Sequence, residues 1–280
     1  MSNLLPEIRE ICRLLEISPS RSKGQNFLTN EKIYEDIVAA AEIEADDTVL
    51  EIGPGLGFLT LKLASKAKRV IAVELDDKLA QYLKMGIAAA NIENIEIYNE
   101  DILKFNLGKY LKPNEPYKIV ANLPYNITSI FLRLFLSQTH RPESLVLMLQ
   151  KEVANRIVAE APDMNLLALS VQYYSSPQII REVKAGNFWP EPKVDSAIIK
   201  LSANSSADTK EDKLFFRLAK MGFSAKRKML KNNLAGGLKV SQKVITDILV
   251  ESQFNPAVRA EDLSLEQWQK LFAALRVFML

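Results

Sequence analysis

From about residue 46 to 150 the chain alternates short apolar runs with helical patterns, and no other feature restricts its fold so strongly. The runs TVLEI (48–52), RVIAVEL (69–75), IEIYNE (95–100), YKIVAN (117–122) and SLVLMLQ (144–150) have the length and β-branched content of strands. Most are apolar throughout, as strands buried on both faces must be. Helical patterns lie between them: FLTLKLASKA after the first run, Lys78 to Ala90 after the second, and Ser129 to Gln138 after the fourth. Strands separated by helices are βαβ units, which build a mostly parallel sheet with helices on both faces. Two later runs, IIREV and SAIIKL, are expected to add an antiparallel pair at the sheet edge.

The composition shifts beyond the sheet. SANSSADTK (202–210) is polar and short of bulky side chains, as a linker is. After it the pattern is helical, and SLEQ at 264–267 is set to open a last helix as a capping box. The expected organisation is an α/β catalytic domain over residues 1–203 and a small all-helical domain over residues 204–280. Near the N-terminus, Ile8, Ile11, Leu14 and Leu15 recur at helical spacing and predict an amphipathic helix packed on the body.

Charge follows the same division. Residues 210–243 hold ten bases and two acids, or +8, leaving 26 bases against 32 acids, or −6, elsewhere in a chain of net charge +2. A local basic face suits a phosphate backbone, although a solvated helix face has the same composition. No segment reaches the ~18–20 apolar residues of a membrane span. Acids and bases interrupt the N-terminus, so it does not read as a secretory signal. The one cysteine, Cys12, excludes an internal disulfide, and the one histidine, His140, reads as a loop residue and excludes a multi-histidine metal site. The expectation is a soluble cytoplasmic protein without a metal.

EIGPGLG (51–57) follows the first strand and opens a helix. Its glycines let the backbone turn tightly and approach a ligand. The spacing is GxGxG rather than the GxGxxG of dinucleotide sites, and Glu51 beside the turn would repel a pyrophosphate. The second strand ends in VELD, where an acid can hold both hydroxyls of a ribose, and the third in NED, where Asp101 can take an adenine amino group. Each acid alone reads equally as a helix cap. Together they ask for an adenosine without phosphates and with a cationic tail, a description that S-adenosylmethionine fits.

The fourth strand ends in NLPY (122–125) at the same edge. Pro124 holds Leu123 extended and donates no N–H, so carbonyls can point into the cleft. The Asn122 side-chain oxygen adds an acceptor. Two acceptors beside the ring of Tyr125 match an exocyclic amine on a flat base, with the ring stacked on the base. Hydrogen bonds from N6–H of adenine to such acceptors favour pyramidal nitrogen and return its lone pair, so alignment does much of the remaining work. A base in folded RNA must leave its stack to reach the site.

These residues, with KGQNFL (23–28), LQKEVANR (149–156), FWPEPKVDSA (188–197), FSAKRKML (223–230) and RAEDLS (259–264), resemble the small-subunit (16S) ribosomal RNA adenine N6,N6-dimethyltransferases almost end to end. The resemblance implies a Rossmann-like class I S-adenosylmethionine-dependent methyltransferase with a small helical C-terminal domain. It implies that Asn26 and Leu28 line the cofactor pocket, Gly53 contacts the cofactor, Glu74 its ribose, Asp101 its adenine, and Asn122 its methionine end or the target amine. Asn122 and the Pro124 carbonyl would orient N6. Tyr125 would stack on the target adenine, with Phe188 on its other face unless that ring is core packing. Lys226, Arg227, Lys228 and Lys231 would contact RNA.

The implied reaction converts two adjacent adenosines of the 3′-terminal hairpin of 16S rRNA to N6,N6-dimethyladenosine, late in small-subunit assembly. The implied partner is the small ribosomal subunit, met by a monomer. FSAKRKML and RAEDLS favour this branch over the large-subunit methyltransferases of antibiotic resistance, and an intact NLPY favours catalysis over a role only in assembly. Two departures stand out. Leu166-Leu167 replaces the Tyr-Gly pair frequent before LSV, and Phe58 follows Gly57 without evident role.

Overall fold

The computed structural model describes residues 3–19, 25–124, 127–204 and 209–279. In chain order these form α1 (Leu5–Leu14), β1 (Phe27–Leu28), α2 (Glu31–Ala41), β2 (Thr48–Ile52), α3 (Phe58–Ala64), β3 (Arg69–Glu74), α4 (Asp77–Ala89) and β4 (Ile95–Asn99). There follow β5 (Lys118–Asn122), α5 (Thr128–Leu136), β6 (Ser144–Gln150), α6 (Lys151–Ile157), α7 (Leu166–Tyr174), β7 (Ser175–Val183), β8 (Phe188–Trp189) and β9 (Ser196–Ala203). The last helices are α8 (Thr209–Gly222), α9 (Leu230–Leu238), α10 (Gln242–Glu251) and α11 (Leu265–Leu275). Two compact units result, Met1–Ala154 with Pro177–Ala203, and Asn155–Ser176 with Asn204–Leu280.

The first unit is built on a seven-stranded sheet of order β4-β3-β2-β5-β6-β9-β7. The five runs expected as strands are β2 to β6, and their ends fall within one residue of expectation. β4 through β6 pair in parallel, and β9 runs antiparallel to β6. Successive side chains point to opposite faces, and both faces are dry. Val49, Val70, Val120 and Val146 share a core with Ile33, Ile37, Leu59 and Leu63 of α2 and α3. Their neighbours Leu50, Ile71, Ile119 and Leu145 are equally buried on the opposite face. The chain runs from β2 outward to β3 and β4, then returns to β5 on the other side of β2. Ligands of such sheets bind beyond the carboxyl ends of the strands at this reversal.

The N-terminal helix forms, with one correction to the face it buries. Ile8 and Cys12 are covered, whereas Leu14 is 66% exposed. Cys12 lies one turn from Ile8, and Leu14 is rotated away from that line.

The second unit corrects the expected boundary at residues 203 and 204, because residues 155–176 belong with the C-terminal helices. Ala168 and Leu169 of α7 share a core with Phe215 and Leu218 of α8 and with Trp268 and Leu271 of α11. A Cβ at Gly222 would stand 2.3 Å from the Trp268 ring, so α8 and α11 meet backbone to ring. Asn165 caps α7 by accepting from the Leu167 and Ala168 N–H groups, so Leu166-Leu167 opens an ordinary helix. SLEQ forms its capping box in both directions. Residues 205–208 of the expected linker fall outside the described residues.

Candidate active site

The glycine turn joins β2 to α3 with Gly53, Gly55 and Gly57 at φ of +65°, +60° and +88°. At Gly55 a Cβ would press on the Phe27 ring at 3.3 Å, and the positive φ already disfavours a side chain. At Gly53 a Cβ would meet nothing within 4 Å, so the backbone there borders open space that a ligand can use.

Glu74, at the end of β3, holds this turn. Its carboxylate accepts from the Gly55 N–H at 3.0 Å and from the Asp76 N–H at 2.9 Å. Burial raises its pKa and the Asp76 charge adds to the rise, while the backbone N–H groups of Asp76, Gly55 and Leu75 oppose it. A carboxylate has about four acceptor sites, so capacity remains for a ribose hydroxyl. Beyond β4, Asp101 accepts from the Leu103 N–H at 3.0 Å with one oxygen, and the other lies 4.0 Å from Lys104 Nζ.

At the end of β5, the Asn122 amide nitrogen donates to the Asn26 carbonyl at 3.4 Å, which leaves its side-chain oxygen for a substrate. The Leu123 N–H reaches the Met148 carbonyl of β6 at 3.3 Å, anchoring the segment. The Pro124 carbonyl accepts from the Ile127 N–H at 3.2 Å, so one of its two lone pairs is spent on the turn. Tyr125 lies outside the described residues.

The N-terminal segment closes the site. β1 pairs with β8, matching Phe27 to Trp189 and Leu28 to Phe188. Gln25 donates to Asp76 at 3.2 Å. Two expected site residues lie in the sheet core. Leu28 is 1% exposed there. Phe188 is 4% exposed and packs in the same core, the alternative weighed against stacking. Phe58 gains a role, since it packs against Tyr34 and the α1 cluster.

Leu75, Glu51, Gln25 and Tyr34 carry no site assignment from the sequence. Leu75 follows Glu74 and is 69% exposed, an apolar surface between the two acids expected to hold adenosine. Glu51 is 1% exposed, and neither carboxylate oxygen has a hydrogen-bond partner; the Gln25 and Asn26 side-chain oxygens are likewise buried and unpartnered. Burial pushes the Glu51 pKa up to about 8; the nearby Thr60 hydroxyl opposes this and Glu74 adds to it. Burial also raises Tyr34, with Glu51 adding to the shift. EIGPGLG brings Glu51 to notice, but no sequence pattern reveals missing partners.

Open acceptors at three strand ends, unpartnered buried oxygens and a turn without a basic residue fit a cationic adenosine rather than a pyrophosphate. Among the described residues no group of three or more His, Cys, Asp or Glu is placed to hold a metal, and no helix is long and apolar enough to cross a membrane.

In the second unit, Lys226, Arg227 and Lys228 stand exposed in the turn between α8 and α9, and Lys231 is half-buried in the first turn of α9. Asn233 fixes that turn by donating to the carbonyls of Gly222 and Ala225 at 2.6 and 3.1 Å. Lys213, Arg217 and Lys220 are exposed along α8 at spacings of four and three, so they form one stripe.

Residues 18–276 match the family model for ribosomal RNA adenine dimethylase. A Dehalococcoides mccartyi protein, ribosomal RNA small subunit methyltransferase A, is 43% identical over 96% of this chain and 92% of its own. Its namesake from Alkaliphilus metalliredigens is 40% identical over 90% of each chain. Among solved structures, a dimethyladenosine transferase from Plasmodium falciparum matches with a TM-score of 0.78 and 28% identity, covering 90% of this chain and 98% of that one. The 23S rRNA methyltransferase ErmE matches at 0.73 and 26%, covering 90% and 100%.

Proposed function

The chain belongs to the ribosomal RNA adenine dimethylase family and is an S-adenosylmethionine-dependent rRNA adenine dimethyltransferase; from that premise we propose that it dimethylates N6 of two adjacent adenosines in the 3′-terminal hairpin of 16S rRNA, late in small-subunit assembly. The observation that carries the reading is the placement of Gly53, Glu74, Asp101 and Asn122 at the carboxyl ends of four neighbouring parallel strands, beside the order reversal.

S-adenosylmethionine supplies, when bound, a methyl group already activated on a sulfonium. The chain's residues supply position. Gly53 admits the ligand against the backbone, Glu74 takes a ribose hydroxyl on its remaining acceptor capacity, Asp101 takes the adenine amino group, and Asn26 and Leu28 close the pocket. The Asn122 oxygen and the remaining lone pair of the Pro124 carbonyl accept the two N6–H bonds of the target adenine, which turns the nitrogen lone pair out of the ring plane. Tyr125 stacks on that base; the second face falls to Phe188 only if its ring leaves the core. Lys226, Arg227, Lys228 and Lys231 of the helical unit contact RNA phosphates. The protein acts as a monomer on the small subunit, in the cytoplasm.

The test is nucleoside mass spectrometry after incubation with S-adenosylmethionine and either unmethylated small subunits or large-subunit rRNA. N6,N6-dimethyladenosine is expected in the small-subunit RNA alone. Product confined to large-subunit RNA would overturn the substrate, and no product from either would overturn the activity.

A further inference from the structure

Helix α1 lies before the stretch that the family model matches, yet it shares an apolar cluster with the glycine turn, α4, β1 and β8. Ile8 and Cys12 are buried against Leu56 of that turn and Leu79 of α4, with Phe27 of β1 and Trp189 of β8 packed alongside. Three polar contacts add direction. Lys78, two residues past Asp76, donates to the Leu15 and Glu16 carbonyls at 3.0 and 3.2 Å, a cation at the negative end of α1. The Leu4 N–H reaches the Thr29 carbonyl at 2.8 Å, just beyond β1. The Arg9 guanidinium sits 5.6 Å from the centre of the Trp189 ring.

The segments so joined have little means of holding themselves. β1 and β8 are two residues each, and the turn runs through three residues of positive φ. We propose that α1 is a positioning clamp for the cofactor pocket: by tying β1, β8, the glycine turn and the start of α4 to one apolar seam, it sets their separation before S-adenosylmethionine binds. Preorganisation of this kind acts on affinity, because the ordering cost is met before the ligand arrives. It leaves the chemical step alone, since no atom of α1 is among the groups assigned to the target base. The proposal rests on the cofactor reading above.

The experiment compares wild type with Ile8→Ala and Lys78→Gln in the full chain. It measures S-adenosylhomocysteine affinity by calorimetry, KM for S-adenosylmethionine, kcat at saturation, and Tm. Each variant is expected to weaken S-adenosylhomocysteine binding about tenfold and to raise KM in proportion, with kcat unchanged. Ile8→Val and Lys78→Arg should restore most of the affinity. A fall in Tm with unchanged affinity and KM would overturn the clamp, because that is the signature of packing alone. Wild type that binds no S-adenosylhomocysteine would overturn the cofactor reading and the clamp together; wild type that binds, with variants that bind equally, would overturn only the clamp.

Discussion

In the helical unit Asp212 is buried and both its oxygens are engaged, by the hydroxyls of Tyr173 at 2.8 Å and Tyr174 at 3.1 Å. In the sheet unit Glu51 is buried as deeply and neither of its oxygens is engaged. The contrast extends further. Asn233 and the Trp268 indole N–H are paired inside the helical unit, whereas the oxygens of Gln25 and Asn26 are left open in the sheet unit. A buried group without a partner costs about 1–3 kcal/mol. A fold that closes such accounts in one half and leaves them open in the other is organised around different tasks. The helical unit satisfies its interior and puts its charges outside. The sheet unit keeps valences in reserve beside the place where a polar, cationic ligand belongs.

The sharpest way to break this contrast is at Asn122. Asn122→Ala removes an acceptor from the reacting nitrogen, so the methylation rate should fall ~10²–10³-fold while subunit binding stays close to wild type. Loss of subunit binding in a methylation assay paired with sedimentation would show that the two tasks are not separable. Asp212→Ala addresses the other half. It removes the buried carboxylate that accepts from the Tyr173 and Tyr174 hydroxyls, and thermal melts should show a loss of about 2–4 kcal/mol. A smaller effect on cofactor affinity than on Tm is the expected signature.

Reversing the charges of Lys226, Arg227 and Lys228 together should weaken RNA binding roughly tenfold to a hundredfold. It should also flatten its dependence on log salt by up to about three, with S-adenosylhomocysteine affinity unchanged. Unaltered RNA affinity in a filter-binding titration would remove the outward-facing role from the helical unit.

Glu51 sharpens the comparison through pH. Its carboxyl stays neutral in the folded protein up to about pH 8, whereas the unfolded chain ionises it near 4.5. The folded state therefore holds an extra proton between those values, and stability falls as pH rises through the window. Glu51→Gln removes that dependence. The two proteins should melt close together at pH 5, and by pH 9 the variant should be ahead by a few kcal/mol, about 4 at most. Parallel pH profiles would mean that Glu51 has partners in solution.

What could be read from the sequence followed from continuity along the chain. β2, β3, β5 and β6 are runs whose residues are buried on both sides, so pattern alone locates them, and the capping box of α11 is written in four adjacent residues. The acids and amide at the strand ends were legible because a parallel sheet delivers successive strand ends to one edge. Features that depend on distant partners were not. α7 is apolar nearly all round, so nothing in LLALSVQYY tells which core it joins. β1 and β8 are too short to carry a pattern, and the burial of Phe188 follows from their pairing. The open oxygens of Glu51 are a property of what surrounds it, which no local spacing encodes.

The bond from the Asn122 amide to the Asn26 carbonyl has one more effect. It sets which end of a nearly symmetric amide meets the base. With the nitrogen committed, the group offered is an oxygen, and the Pro124 carbonyl offers a second. An exocyclic amine answers both. A keto group in its place, as in inosine, would set lone pair against lone pair at two points. With Asn122 and Pro124 in their proposed roles, the site would tell an amino purine from its deaminated counterpart by the sense of the hydrogen bond, before any methyl is transferred and without reading the neighbouring sequence.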